Sequence, residues 1–412
     1  MTAIRDFVMA EPLFETHTHQ NRFDHHPWDR KNYEEFIQYG TADMATASGR
    51  SFDDLVKRGK VFNVWRFVRT TGYGQAAELG CRDLFGLAYT KENAPAITER
   101  IQAFIRERTP EKIFRDLYDR ANVRWSVCDQ CWESPVNTLQ SLSGKEHLDL
   151  FRFAIRHDEL LTPHSKADIA KASQALGKDI RTLSGFVKAL DEHTAKVQDG
   201  GRLAAIKIGL AYLRNLDFEP ASKAAAERAF SALMQGRKPA LKPLHDYLFF
   251  ATMDRAVALK LPVQIHTGYL AGNWSDIRRG NPAGLIPVFR KYQSIRFDIF
   301  HASWPWSEFL GAVGKEFPNV WIDLCWMWSM NPVQAGRVLD EWLSGVPNNK
   351  ILGFGADTGT PFGMLGYALQ ARQGIAAVLE RKIARGEYDE ETARFVARRV
   401  MWENGRELYG EW

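Results

Sequence analysis

No run in this 412-residue chain reaches the roughly 18 consecutive apolar residues that a membrane span requires. The opening stretch, MTAIRDFVMAEP, lacks the apolar core of a secretory signal. Cysteine is scarce: four in the whole chain exclude a disulfide framework. Neither sign of charge dominates. Lys and Arg number 54 against 50 Asp and Glu, a net charge of +4, which leaves no broad footprint for nucleic acid or a membrane surface. A glycine-rich phosphate loop is also missing, since GFGADTG (353–359) has the wrong spacing and follows the last strand rather than the first. No nucleotide cofactor is expected. These absences describe a soluble protein of a reducing compartment, which we read as cytoplasmic. No repeat and no low-complexity tract is present.

What the chain does hold is apolar and aromatic. Its apolar share is 45 %, with 13 Trp and 25 Phe, enough for a sizeable core. Eight short apolar runs recur: 13–19, 123–129, 150–158, 203–209, 262–266, 296–301, 319–326 and 351–357. Their continuous apolar, β-branched character predicts strands buried on both faces, as in a parallel sheet. Helical patterns such as 168–197 and 244–260 lie between most of them. Eight alternations of strand and helix predict an α/β protein, a TIM-like (β/α)8 barrel. One interval breaks the rhythm. The stretch 28–120 is too long for a structureless loop and carries helical patterns, so it is expected to be a helical insertion or lid over the open end of the barrel. The barrel would then comprise 1–27 and 121–412, with the last fifty residues as closing helices.

Histidine is rare, 11 in all, yet it recurs where the runs end. The first run ends in His17 and His19, the fifth in His266, the sixth in His301 and the eighth in Asp357. Strands of a parallel barrel all point one way, so these ends would gather at the C-terminal mouth, where barrel enzymes keep their chemistry. His17 and His19 alternate along one strand and so share a face. A lone histidine behind an apolar run is usually a core or surface residue. Three or four imidazoles converging with a carboxylate instead suit a divalent transition ion, zinc first, with manganese or iron as alternatives. Water at an open position of such an ion loses a proton near pH 7, and Asp357 beside it could accept that proton.

The order His-x-His on strand 1, His on strands 5 and 6 and Asp on strand 8, in FETHTH, PVQIHTGY, FDIFHAS and GFGADTG, resembles the amidohydrolase superfamily, and most of all its amidohydrolase-related group. The long insertion after strand 1, ANVRWSVCD, FRFAIRHD and the tryptophan closing WIDLCW are similar to uronate isomerase. The resemblance implies that His17, His19, His266 and Asp357 hold the metal, with Asp357 also the general base. It further implies that His301 binds a second metal or polarises the substrate. In two-metal members a carbamylated strand-4 lysine bridges the ions, and Lys207 holds that place. Without such a role, a lysine in an apolar strand needs a carboxylate or an anionic substrate as partner.

Arg156, near the end of strand 3, is a candidate grip for a substrate carboxylate, or equally a structural partner of Asp158. The loop after His266 offers Tyr269, Trp274, Arg278 and Arg279, and further strand ends offer Trp304, Trp306, Trp326 and Trp328. Tyr269, Arg278 and Trp326 are the expected substrate contacts, though an arginine there can equally face solvent. Cys128 and Cys131 form a single CxxC, read as structural. His25 and His26 are read as solvent-facing loop residues, and His245 as surface. The expected function is a metal-dependent hydrolase of a small, carboxylate-bearing ester, lactone or amide. The alternative is a uronate isomerase-like isomerase or a non-oxidative decarboxylase on the same site, and the remaining one a barrel that binds without chemistry. A small anionic substrate is the expected partner, and the resemblance adds a homo-oligomer.

Overall fold

In the computed structural model of this chain, residues 3–20, 28, 31–37, 40–50, 61–129, 149–199 and 203–410 are described. Eight parallel strands form one sheet in sequence order, β1 to β8. They are β1 (Leu13–Thr18), β2 (Val123–Cys128), β3 (Phe151–Arg156), β4 (Leu203–Ile208), β5 (Val263–Ile265), β6 (Phe297–Ile299), β7 (Val320–Asp323) and β8 (Ile351–Leu352). Each lies within one of the eight apolar runs. β1 and β4 are buried at every position, as strands covered on both faces must be. The paired strands end at β8, and the chain just beyond it closes the seam to β1. Thr16 N–H donates to Phe354 O, Asp357 N–H to His17 O and His19 N–H to Thr358 O, each at 3.0 Å.

Nine helices matter below: α1 (Ala3–Ala10), α2 (Thr41–Ala47), α3 (Gly72–Phe85), α4 (Pro110–Ala121), α5 (Leu183–Asp199), α6 (Lys242–Leu259), α7 (Pro332–Gly345), α8 (Pro361–Ala384) and α9 (Asn404–Tyr409). Local chemistry sets their ends. Thr109 caps α4 by accepting from Lys112 N–H, Pro110 supplies the first turn, and Asn122 stops it in a left-handed conformation at φ 48°. The 24-residue α8 is buried along most of its length, with α1, α3, α4 and α7 packed on it. α3 approaches it very closely. A Cβ on Gly366 would stand 2.2 Å from Ala76 O, so glycine there lets the backbones meet.

Where it is described, the segment 28–120 is largely helical and includes α3 and α4. They pack on α8, and α4 contacts β2, in the place of the barrel helix joining β1 to β2. α9 sits at the opposite end, where Asn404 donates to Asn348 O at 2.6 Å and Ile351 O at 2.7 Å. From there Tyr409 reaches the barrel interior and bonds Asp298 and Gln264. Among the described residues no helix is long and apolar enough to cross a membrane.

Candidate metal centre

β1 places His17 and His19 two residues apart, and both are buried. Asp357 meets them through the seam. Its Oδ1 lies 2.9 Å from His19 Nε2 and 3.8 Å from His17 Nε2, and its Oδ2 lies 3.6 Å from His301 Nε2. Asp129, just past β2, brings a second carboxylate, with Oδ2 3.9 Å from His17 Nε2. The ligand atoms of His17, His19 and Asp129 all lie within 4.8 Å of one another. Asp129 was not singled out in the sequence, although it ends the second run as the histidines end theirs.

The hydrogen bonds decide what this cluster fits. His19 Nδ1 lies 2.6 Å from the backbone oxygen of Asp129. A carbonyl only accepts, so Nδ1 carries a ring proton, and Nε2 faces the Asp357 carboxylate, where a neutral imidazole would oppose one lone pair to another. Two lone pairs that close repel unless a cation lies between them. A proton would serve that one contact, whereas a divalent ion also uses His17 Nε2 and Asp129. This donor set of imidazole nitrogen and carboxylate oxygen therefore fits a divalent transition ion. Burial alone would push the Asp357 carboxyl up, but a hydrogen bond from His19 and positive charge at His19, His301 and Lys207 outweigh it and hold it at about 2. A metal cation at the same spot would act in the same direction.

His266 stands one imidazole away from this group. Its Nε2 donates to Tyr269 O at 2.9 Å, and its Nδ1 lies 3.0 Å from His301 Nε2. His301 Nδ1 donates to Cys325 O at 3.0 Å. Both outer nitrogens thus carry protons, and the inner N···N contact is a place where one proton is gained or lost. Burial, and then the charges of His301 and Lys207, push His266 well down. Burial brings His301 to about 4 although Asp357 pulls it up. The expected ligand role of His266 therefore meets a geometry in which both of its nitrogens already have partners.

Backbone strain gathers at this mouth. His301, Trp326 and Asp357 take φ of 62°, 66° and 51°, left-handed values costing about 1 kcal/mol or more each for side chains of this kind. Gly268, at φ 74°, lets the loop after β5 lie on the loop after β6. A Cβ there would stand 2.5 Å from the Ser303 carbonyl carbon.

Lys207 is 1 % exposed. Among the described residues its Nζ has no hydrogen-bond partner, and it sits 3.7 Å from the centre of the Phe300 ring. Burial lowers its pKa, while Asp129 and Asp357 pull it back up. Arg156 is held at both edges, Nε by Asp158 and Nη1 by Asp129 Oδ2 at 3.2 Å. Asp158 in turn accepts from Gly209 N–H at 2.9 Å. The Tyr269 ring lies 5.6 Å from Trp304 and 5.8 Å from Trp326, and the Trp326 ring 5.2 Å from His301. These three aromatics wall one side of the cluster.

Other residues lie elsewhere. Arg278 is a correction: its side chain is 85 % exposed and its guanidinium binds Asp276, so it points away from the pocket. Trp274 is 98 % exposed. Arg279 reaches Tyr212 O at 3.4 Å, Trp306 is half-buried, and Trp328 is buried with its Nε1 donating to Gly353 O at 2.8 Å. Cys128 is buried, its thiol donating to Gln20 O at 3.0 Å. His245 is a second correction. It begins α6 but is buried, with Nε2 donating to Pro163 O at 3.0 Å. His25, His26 and Cys131 lie outside the described residues.

The eight-stranded parallel barrel with a buried histidine and carboxylate cluster at its mouth is the arrangement of an amidohydrolase-type barrel. A family model described as amidohydrolase matches residues 204–410, half of the chain. The chain belongs to the amidohydrolase family. Among curated proteins, Protein fluG of Emericella nidulans is 26 % identical over 221 residues, 50 % of this chain but only 25 % of that protein's length. Among solved structures, a uronate isomerase from Thermotoga maritima superposes with a TM-score of 0.81 at 16 % identity, covering 98 % of this chain and 96 % of its own. A glucuronate isomerase from Caulobacter crescentus gives 0.77 at 16 % identity, with 98 % and 92 % covered. A protein from Lactobacillus casei assigned to the metal-dependent hydrolases gives 0.69 at 16 % identity, with 99 % and 98 % covered. At such identities these likenesses show the fold.

Proposed function

We propose that this protein is a metal-dependent hydrolase of a small, carboxylate-bearing ester, lactone or amide. The observation that carries the reading is His19 Nε2 facing Asp357 Oδ1 at 2.9 Å, with His17 and Asp129 beside them. His17, His19 and Asp357 would hold the ion, with Asp129 as a fourth donor. Zinc suits these ligands best, and manganese or iron also fits. When bound, such an ion polarises a substrate oxygen and acidifies water.

The chain's own residues supply the rest. Asp357 Oδ2 takes the proton of the attacking water. The contact between the inner nitrogens of His301 and His266 takes up a proton as the reaction proceeds, and His301 so charged stabilises the developing oxyanion. Lys207 places a positive charge beneath the site, suited to an anionic substrate. Arg156, turned by Asp158 and Asp129 at the end of β3, is the candidate grip for a substrate carboxylate. The wall of Tyr269, Trp304 and Trp326 excludes water from one side.

The same imidazole pair beside Asp357 would also serve proton transfer at carbon, as a uronate isomerase-like isomerase or a decarboxylase requires. Turnover of a panel of lactones, esters and amides of small acids, run beside uronates and aromatic acids, separates the readings. Ring opening or ester cleavage supports hydrolysis; ketose formation or carbon dioxide release alone overturns it. On the active substrate, Asp357→Asn is expected to lower kcat by about 10²–10⁴-fold while the ion, measured by elemental analysis, stays bound.

A further inference from the structure

Two carboxylates of the 28–120 segment reach the loops that carry the site. Glu35 Oε2 is buried and accepts from Lys31 Nζ at 2.9 Å and from Thr360 Oγ1 at 3.0 Å, three residues past Asp357. Asp43, on α2, is buried too. Its Oδ1 accepts from Gly272 N–H at 2.9 Å, and its Oδ2 from Tyr73 OH at 3.4 Å. The contact with Gly272 spans 229 residues of sequence. Gly272 belongs to the loop after β5, the same loop whose Tyr269 carbonyl accepts from His266. The neighbouring N–H, on Ala271, goes to Tyr212 OH at 3.0 Å, and the Tyr212 ring lies 4.7 Å from His266. This loop is therefore pinned at consecutive amides by side chains from two other parts of the chain. Burial raises Asp43 to about 6, with the Gly272 and Tyr73 donors pulling it down, so its carboxylate form leans on those two contacts.

We propose that Asp43 is a positioning residue for this site: by holding Gly272 N–H it keeps the Tyr269 carbonyl on His266 Nε2, which fixes the ring proton there and turns Nδ1 toward His301. Asp43 touches no reacting atom and acts only through the loop. Its importance for catalysis rests on the proton role given above to the His266–His301 pair, but the positioning itself does not.

The test uses the full chain with ¹⁵N-labelled histidine, loaded with Zn²⁺ and also ion-free. The readouts are the imidazole ¹H–¹⁵N spectrum, with His266→Ala to assign its signals, and peptide-level hydrogen exchange over 268–276. Asp43→Leu is expected to raise exchange in that peptide tenfold or more and to move the His266 signals toward mixed tautomers. Exchange in β4 and Zn²⁺ affinity should stay within threefold. Asp43→Asn keeps an acceptor oxygen for Gly272 N–H and is expected to restore both the exchange rate and the tautomer. Should Asp43→Leu fail to fold, Asp43→Ser, too short to reach Gly272, takes its place with the same criteria. Wild-type values in the truncated variant, or an Asn variant no better than it, overturn the proposal. Absence of Zn²⁺ binding in the wild type would instead strike the hydrolase reading, and the ion-free spectra would still decide the positioning role.

Discussion

His19 and His266 are both buried mouth histidines, yet their hydrogen bonds assign them different work. His19 has one nitrogen tied to a carbonyl and the other turned to Asp357. His266 has both nitrogens engaged. Zn²⁺ titration calorimetry is therefore expected to show binding about a hundredfold or more weaker in His19→Ala but within about tenfold of wild type in His266→Ala. Equal losses would restore His266 as a ligand. That His17, His19, His266, His301 and Asp357 gather at one mouth was legible in the sequence because parallel strands bring their ends to the same face. Asp129 was not, since carboxylates after strands are common and only its distance to His17 sets it apart. Nor could sequence show that Arg278 would turn to Asp276, or that His245 would be covered by the segment around Pro163. Those outcomes depend on neighbours that the local pattern does not contain.

Arg372 shows how one side chain can organise several elements. From buried α8 its guanidinium donates to Val8 O at 2.9 Å, to Glu11 O at 2.5 Å, to Ala121 O at 2.9 Å and to Asn122 O at 3.1 Å. These carbonyls lie at and just past the C-terminal ends of α1 and α4, where a helix leaves acceptors without intrahelical partners. Burial lowers the arginine to about 10, still cationic at neutral pH, so charge and helix-end dipoles attract. Arg372→Met keeps the length and removes every donor. It is expected to destabilise the protein by about 3 kcal/mol or more, read from the shift of a urea unfolding curve; a loss below about 1 kcal/mol would show that water replaces these bonds at little cost. At this scale the strands were fully legible, because β1 and β4, covered on both faces, must be apolar throughout. The expectation of a helical insertion or lid over 28–120 rests on length and helical pattern, neither of which says that α3 and α4 pack on α8 while Glu35 and Asp43 reach the loops at the mouth.

Two sets of buried groups pull the whole molecule's stability in opposite directions with pH. Burial, then the neighbouring His193, brings His157 from 6.5 to about 3, and burial brings His245 from 6.5 to about 4. Their folded values lie below the unfolded ones, so the stability they contribute is complete above pH 6.5 and is lost as pH falls through that window. Glu15 is raised by burial from 4.5 to about 7, against the pull of Ser126 and Tyr118, so its contribution is complete below pH 4.5 and is lost as pH rises toward 7. Between those limits the slopes partly cancel. Glu15→Gln is expected to make stability rise more steeply with pH, and His245→Gln to make it rise less, each by at most about 1.4 kcal/mol per pH unit. Urea midpoints taken from pH 4.5 to 6.5 with chelator present would check this; parallel curves for all three proteins would refute it.

The proposed cation pocket straddles the join of the cylinder. Two of its imidazoles lie on the first strand and its late aspartate just past the last, stitched together by main-chain contacts across 340 positions. A nascent chain halted before the eighth strand lacks Asp357, so capture of an ion by the full proposed set is expected only once the circumference is complete. Once captured, the ion would act as a rivet across the weakest line of the wall. Stripping it with a chelator should speed amide exchange at 13–19 and 351–358 well before the opposite strands around β4 and β5 respond.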